Sequence, residues 1–264
     1  MQFLWRSTLT SLLALLSFQS LSESAFRAAD PDLQACAKRN ALVRTISQRQ
    51  HVRVISEQGW TRESTRLVYI KRGEDDALNV LFEVETPQTE AGMKVLITKK
   101  TAGKPVAWVY LPELGRARRV VGNGAGNSVL GTDFSYEDML YFECFLNAKN
   151  VQKSEIEHEG RAAWLLETAP HAKSSAYRKI DLILDQQTCL PLGAKFWKHN
   201  GDLAKSMIVN IEAIKRVDDH DVLDFITMQD HIRGSKTEIR VEDVAFNPAL
   251  RAGMFSPSEI KYGR

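Results

Sequence analysis

Over most of its length the chain alternates apolar and polar side chains with a period of two. Asn79–Thr86 sets Val80, Phe82 and Val84 against Glu83 and Glu85. Lys94–Lys100 places Val95 and Ile97 on one face, and Tyr177–Asp185 sets Ile180, Leu182 and Leu184 against Lys179, Asp181 and Asp185. Successive side chains of a strand point to opposite faces, so this pattern marks strands with one face buried. The same reading predicts strands at His51–Glu57, Leu67–Lys71, Val106–Leu111 with Trp108 and Tyr110, and Ala163–Thr168. It continues through Leu192–Lys198 with Phe196, Ser206–Glu212 with Met207 and Val209, Val222–Asp230 and Lys236–Asp243. Turn formers separate them: Gly73-Glu74-Asp75-Asp76, Pro87, Gly103-Lys104-Pro105 and Pro112. About ten or eleven short strands at regular spacing predict an antiparallel barrel or a strongly curved sheet. No long helices alternate with them, which argues against a parallel α/β fold.

Two stretches change period. Pro31 to about Ser47 reads as a helix, with Leu33, Ala37, Ala41 and Ile46 near one face. Asp133–Asn147 reads as a second: Ser135 or Asp133 caps it, Glu137 and Asp138 lie in its first turn, and Met139, Phe142, Phe145 and Leu146 recur at helical spacing. Neither a linker rich in Pro, Gly or Ser nor an internal repeat divides the chain, so one domain is expected.

The N-terminus has the order of an export signal. Arg6 precedes the apolar run Leu9–Phe18, and Ser22-Glu23-Ser24 places small residues where a signal peptidase reads. The run falls short of the about 18–20 residues that span a bilayer. The reading is a cleaved signal peptide over 1–24 and a mature periplasmic domain over 25–264, against the alternative of a membrane anchor. Leu33-Gln34-Ala35-Cys36 looks like a lipidation box, but Gln34 fits it poorly and Arg27, Asp30 and Asp32 separate the cysteine from the apolar run.

Composition changes this picture little. A net charge of +2 gives no reason to expect a nucleic-acid partner. Three cysteines in an oxidising compartment invite a pair. Cys144 and Cys189, both in the core half of the chain, are expected to form it, with two buried free thiols as the competing reading; Cys36 lies in the N-terminal helix. No cysteine spacing suggests a zinc site, and no metal or cofactor is expected.

The most specific segment is 108–138. It reads Trp108-Val-Tyr110-Leu111-Pro112, then Arg116-x-Arg118-Arg119, then Gly131-Thr132-Asp133-Phe134-Ser135-Tyr136-Glu137-Asp138. In this order the three pieces resemble the outer-membrane lipoprotein-sorting proteins, a branch of the LolA/LolB-like superfamily. The resemblance implies a mainly β fold with some α: an antiparallel half-open β-barrel whose apolar concave side is covered by helices and holds acyl chains of lipids or lipoproteins. It further implies envelope lipid traffic, in some cases beside an inner-membrane transporter of the RND type.

On that reading Phe82, Val84, Ile97, Trp108, Tyr110, Leu182, Phe196, Met207 and Val209 line the cavity, and Met139, Phe142 and Phe145 form a lid. The competing reading is that the same aromatic and aliphatic residues fill a dry core. Arg116, Arg118 and Arg119, in a loop after Pro112, would meet anionic head groups or an acidic partner; a solvated loop is the alternative. Gly131, Asp133, Phe134 and Asp138 are the motif residues. Asp133, Glu137 and Asp138 are expected to cap the helix or pair with those arginines rather than to do acid–base chemistry.

Enzyme signatures are weak. The glycines at 122, 124 and 126 lack the following Lys-Ser/Thr of a phosphate loop, and no G-x-S-x-G elbow occurs. Asp218-Asp219-His220-Asp221 reads as a hairpin turn, and Glu155–Gly160 ends in another. The expectation is a non-enzymatic carrier. The alternatives are a transporter accessory subunit that carries no lipid and, less favoured, a lipid hydrolase.

Overall fold

The computed structural model describes residues 30–73, 77–99, 106–120, 127–139, 151–170 and 175–261. The expected signal peptide, the glycine-rich 122–126 stretch, Phe142, Cys144 and Phe145 lie outside the described residues.

Helix α1 (Pro31–Ala41) is followed by β1 (Thr45–Ile55), β2 (Thr61–Arg72), β3 (Leu78–Thr86), β4 (Lys94–Lys99), β5 (Val106–Leu111) and β6 (Arg116–Arg119). After the inserted segment come β7 (Gln152–His158), β8 (Arg161–Thr168), β9 (Lys179–Asp185), β10 (Pro191–Trp197) and β11 (Leu203–Val209). β12 (Ile214–Val217), β13 (His220–Leu223), β14 (Phe225–Asp230) and β15 (Ser235–Phe246) complete the series. Thirteen strands form one antiparallel sheet in the order β6-β5-β4-β3-β2-β1-β15-β14-β11-β10-β9-β8-β7. β12 and β13 form a separate hairpin, closed by Asp218 and Asp219 at φ 44° and 55°, as the turn reading expects. The sheet is not closed. Its edges are β6 and β7, and the chain between them must cross from one edge to the other.

The strand count exceeds the sequence reading at places where alternation is weak. β6 was expected as a loop because Arg116-Ala-Arg-Arg carries no apolar side, yet it pairs with β5 through Val109–Arg118 and Trp108–Arg119. β7 has Ile156 as its one aliphatic residue and still pairs with β8 along its whole length. The stretch expected as one strand from Val222 to Asp230 breaks at Asp224, which separates β13 from β14.

α1 starts where Pro31 and a capping Asp30 favour it: the Asp30 Oδ1 accepts the N–H groups of Asp32 at 3.0 Å and Leu33 at 3.2 Å. It ends at Ala41, six residues before the expected boundary. Ile46, which fits the helical stripe, instead sits in β1 opposite Ile70 and Phe246. Two strands supply its backbone partners there, and that tertiary pairing outweighs local helical spacing.

Cross-strand pairing defines two faces. On the inner face one row runs Val109, Val95, Phe82, Val68 and another runs Met228, Met207, Ala194, Leu182, Leu166. The outer face of β2 to β6 is also apolar: Leu67, Tyr69, Leu81 and Leu96 pack against Met254, Ile260, Leu250 and Phe255 of the C-terminal segment. Trp108 and Tyr110 belong to this outer cluster, and Trp108 stands opposite Leu96. The inward positions of β5 are Ala107 and Val109. This corrects the expectation that Trp108 and Tyr110 line a cavity with Phe82: a one-residue difference in parity puts them on the other side of the sheet.

The disulfide expectation is corrected as well. Cys189 is bonded to Cys36, with Cα atoms 5.5 Å apart, and not to Cys144. α1 lies against the β8–β10 end of the inner face, where Leu33 and Cys36 join the cluster of Trp164, Leu184 and Phe196. This docking brings a cysteine on the N-terminal helix to the β9–β10 turn across 153 residues of sequence. It also occupies the sulfur that lipidation would need.

The same turn is organised by Asp185. Its Oδ1 accepts the N–H groups of Gln187 at 2.9 Å and Thr188 at 2.7 Å, and its Oδ2 accepts from Arg161. Burial pushes the Asp185 carboxyl up, but Arg161 and the Thr188 N–H and hydroxyl outweigh it and hold it below its ordinary value of 3.8. A lowered folded value means that the unfolded chain binds the proton more readily. The stabilisation is therefore complete above 3.8 and is lost as pH falls through the folded value. We expect Asp185→Asn to lower the urea midpoint at pH 7 and the deficit to shrink steadily as pH falls below 3.8; a deficit that stays constant across that range would contradict this account.

Candidate functional site

Between β6 and β7 the described stretch 127–139 lies on the inner face and carries the motif. Local hydrogen bonds fold it tightly. The Val129 N–H donates to Phe134 O at 2.8 Å, the Thr132 hydroxyl to Val129 O at 2.7 Å, and Ser128 and Ser135 form a β-bridge. The turn at Leu130 and Gly131 has φ of 50° and 69°. The positive φ at 131 favours glycine, and a Cβ there would also push aside the Arg62 guanidinium, which donates to Leu130 O.

Helical residues then begin at 136, with Ser135 as the cap. The Asp138 N–H donates to Ser135 Oγ at 3.1 Å and the Ser135 N–H to Asp138 Oδ2 at 2.7 Å, a reciprocal capping box. This bears out the cap expected at Ser135.

Two buried carboxylates fasten the segment to the sheet. Asp133 Oδ1 accepts from Arg233 Nη2 at 2.7 Å and from the Ser235 hydroxyl at 2.6 Å, while its Oδ2 accepts from the Thr237 hydroxyl at 2.7 Å. Asp138 accepts from the Tyr177 hydroxyl at 2.6 Å and from Lys205 Nζ at 2.7 Å. Burial, together with the adjacent Asp138 carboxylate, pushes the Tyr177 hydroxyl far above its ordinary value, so it stays protonated and donates. Glu137 accepts the Ala176 N–H at 3.1 Å. The acids thus have structural partners, but these are Arg233 and Lys205. Arg116, Arg118 and Arg119 are exposed on edge strand β6.

The apolar side chains of the segment enter both halves of the inner face. Phe134 packs with Leu182, Phe196 and Met207; Val129 and Tyr136 pack with Phe82, Val95 and Ile97; Met139 touches both clusters. Of the expected cavity residues, Phe82, Val84, Ile97, Leu182, Phe196, Met207 and Val209 all point inward and are buried. In this conformation they fill a packed core beneath the segment.

Pattern reading missed Arg66. It lies on β2 at the inward parity of Val68 and Ile70, directly opposite Val84, and is 1% exposed. Its Nε donates to Gln50 Oε1 at 2.9 Å and its guanidinium stands 5.0 Å from the Phe82 ring centre. The signal was present: in Thr65-Arg66-Leu67-Val68 the arginine occupies an inward slot. It went unread because β2 is apolar on both faces. A cavity of about 340 Å³ lies on the outer side, lined among others by Thr45, Lys71, Leu250, Arg251 and Phe255. No helix among the described residues is long and apolar enough to cross a membrane.

A family model described as an uncharacterized protein matches residues 76–262. No curated protein matches the sequence. Several solved structures share the fold. A domain from Vibrio parahaemolyticus, described as belonging to outer membrane lipoprotein sorting, is 23% identical over 87% of this chain and 97% of its own, with a TM-score of 0.75. A DUF1329 family protein from Desulfovibrio piger is 20% identical over 86% and 95%, with a TM-score of 0.76. A LolA superfamily protein from Nitrosomonas europaea is 17% identical over 85% and 97%, with a TM-score of 0.63.

Proposed function

We propose, from the premise that this chain belongs to the uncharacterized-protein family matched over residues 76–262 and has the open-barrel fold of the lipoprotein-sorting and LolA-superfamily structures, that it is a periplasmic carrier for the acyl chains of lipids or lipoproteins. It acts as one domain over 25–264, after removal of the leader over 1–24, and does not transform what it carries. The observation that carries this reading is how the inner face is covered. The sheet ends in two edges that do not pair with each other, and residues 127–139, between them in sequence, lie over the apolar rows. It is held by polar anchors, Asp133 and Asp138, and by the apolar side chains Phe134, Val129 and Tyr136. Acyl chains would replace those apolar contacts once the polar anchors release. In that exchange 127–139 is the lid. The exposed Arg116, Arg118 and Arg119 on the β6 edge supply positive charge for an anionic head group or a docking transporter.

The test is equilibrium binding of saturated amphiphiles of increasing length to purified protein. Each buried methylene contributes about 0.8 kcal/mol, so affinity should rise about fourfold per carbon until the face is filled. Trp108→Ala, on the outer face, should leave that series unchanged, whereas Phe82→Ala should weaken it. Affinity indifferent to chain length would sink the carrier reading, and turnover of the amphiphile would replace it with a hydrolase.

A further inference from the structure

Arg66 is a buried cation whose charge has no counterpart among the described residues. Its Nε is satisfied by Gln50, but Nη2 is fully buried and has no hydrogen-bond acceptor. The charged side chain that acts on it is Arg62, of like sign, which is itself engaged by Glu90 at 3.4 Å and by Leu130 O. Burial, and to a smaller degree Arg62, push the Arg66 guanidinium down to about 9. Buried guanidinium groups are ordinarily paired, because an uncompensated charge in a low-dielectric interior is costly. A pattern of this kind is sustained when the missing anion arrives with a ligand.

Place in the fold narrows the ligand. Arg66 lies directly opposite Val84, one inward position along β2 from Val68, and its guanidinium stands 5.0 Å from the ring of Phe82 in the row Val68–Phe82–Val95–Val109. An acidic group on Nη2 puts the attached chain along that row, under Val129 and Tyr136 of the lid. A carboxylate brings one negative charge to one guanidinium. A phosphate monoester brings about −1.5 to −2, leaving part of its charge buried and unbalanced.

Resting on the carrier reading above, we infer that Arg66 anchors the carboxylate of a single-chain fatty acid that enters the inner face acid end first. Nη2 donates to a carboxylate oxygen, Gln50 holds the guanidinium in place through Nε, and the alkyl chain displaces the lid side chains from Phe82 and Val95.

Delipidated mature protein, with and without Arg66→Met, is titrated with palmitic acid, hexadecanol and hexadecyl phosphate. All three carry the same chain, so chain burial cancels and the comparison isolates the head group. Palmitate should bind the wild type tighter than hexadecanol by about tenfold or more, the range of a hydrogen bond to a charged group. Hexadecyl phosphate should bind less tightly than palmitate, and Arg66→Met should bring palmitate and hexadecanol together. The variant should fold, since a side chain of similar length without the unpaired charge removes a desolvation cost; its urea midpoint reports this. The wild-type comparison stands without it.

Equal binding of palmitate and hexadecanol to the wild type, or a preference that survives in Arg66→Met, would overturn the role of Arg66 and leave the carrier reading intact. A preference for the phosphate would overturn the carboxylate assignment. Failure of all three to bind would overturn this inference together with the carrier reading.

Discussion

Reduction of the Cys36–Cys189 disulfide should remove about 5 kcal/mol of stability, the chain-entropy value for a loop of this length. The bridge spans 153 residues, so it encloses the strands β1 to β9 and the whole lid segment within one covalent loop. Among the described residues α1 is also held by Lys153 Nζ, which donates to Asp30 at 2.8 Å and to Asp32 at 2.5 Å, by Arg39, which donates to Gln187 O, and by the buried Leu33 and Cys36. Cys36→Ser should therefore lower the urea midpoint about as much as reductant does, and reductant should have no further effect on the variant. Denatured, unreduced wild-type protein should titrate one thiol of its three cysteines. Three titrating thiols would rule the bridge out.

Asp138→Ala should cost about 3–5 kcal/mol, the range for breaking a buried ion pair by removing one partner. The Asp138 carboxylate is fully buried, and Lys205 is only 12% exposed. Truncation leaves the Lys205 ammonium without its carboxylate and removes an acceptor from the Tyr177 hydroxyl and the Ser135 N–H at once. Asp133→Ala should cost less, because its Arg233 partner is half exposed and turns to water. The two variants share a second consequence that separates a lid from ordinary core. If 127–139 covers a separable apolar surface, each protein should keep its far-ultraviolet circular dichroism, bind an apolar dye and exchange amphiphile faster. Loss of all folded signal in both, with no dye-binding state below the unfolding midpoint, would make the segment an integral part of the core.

The single-sided strands were legible from alternation. β9 sets Ile180, Leu182 and Leu184 inward against Lys179 and Asp181, and β3 and β11 do the same with Phe82, Met207 and Val209. In such strands the polar face marks the solvent side, so parity follows from the residues themselves. The lid cap was legible for a similar reason: Ser135 and Asp138 interact across three residues, and nothing distant is needed to place them.

β2 and β5 were not legible to that depth. Leu67-Val68-Tyr69-Ile70 and Val106–Leu111 are apolar on both faces, because the C-terminal segment covers the outer side as the lid covers the inner. Nothing in a doubly apolar strand tells which set points inward, so Trp108 and Tyr110 took the wrong face and Arg66 went unread.

By itself, then, the pattern of the sequence determined a mainly β, antiparallel architecture, the inward residues of its one-sided strands, the hairpin at Asp218-Asp219 and the capped start of the lid, since each depends on neighbours a few residues apart; the open form of the sheet was implied only by the family resemblance. The tertiary structure alone decided which face of β5 is inner, that β1 pairs with β15, that Cys189 meets Cys36, and that Asp133 and Asp138 pair with Arg233 and Lys205. Each of these joins groups some 70 to 200 residues apart or depends on which segment covers a face, and local period carries no information about either.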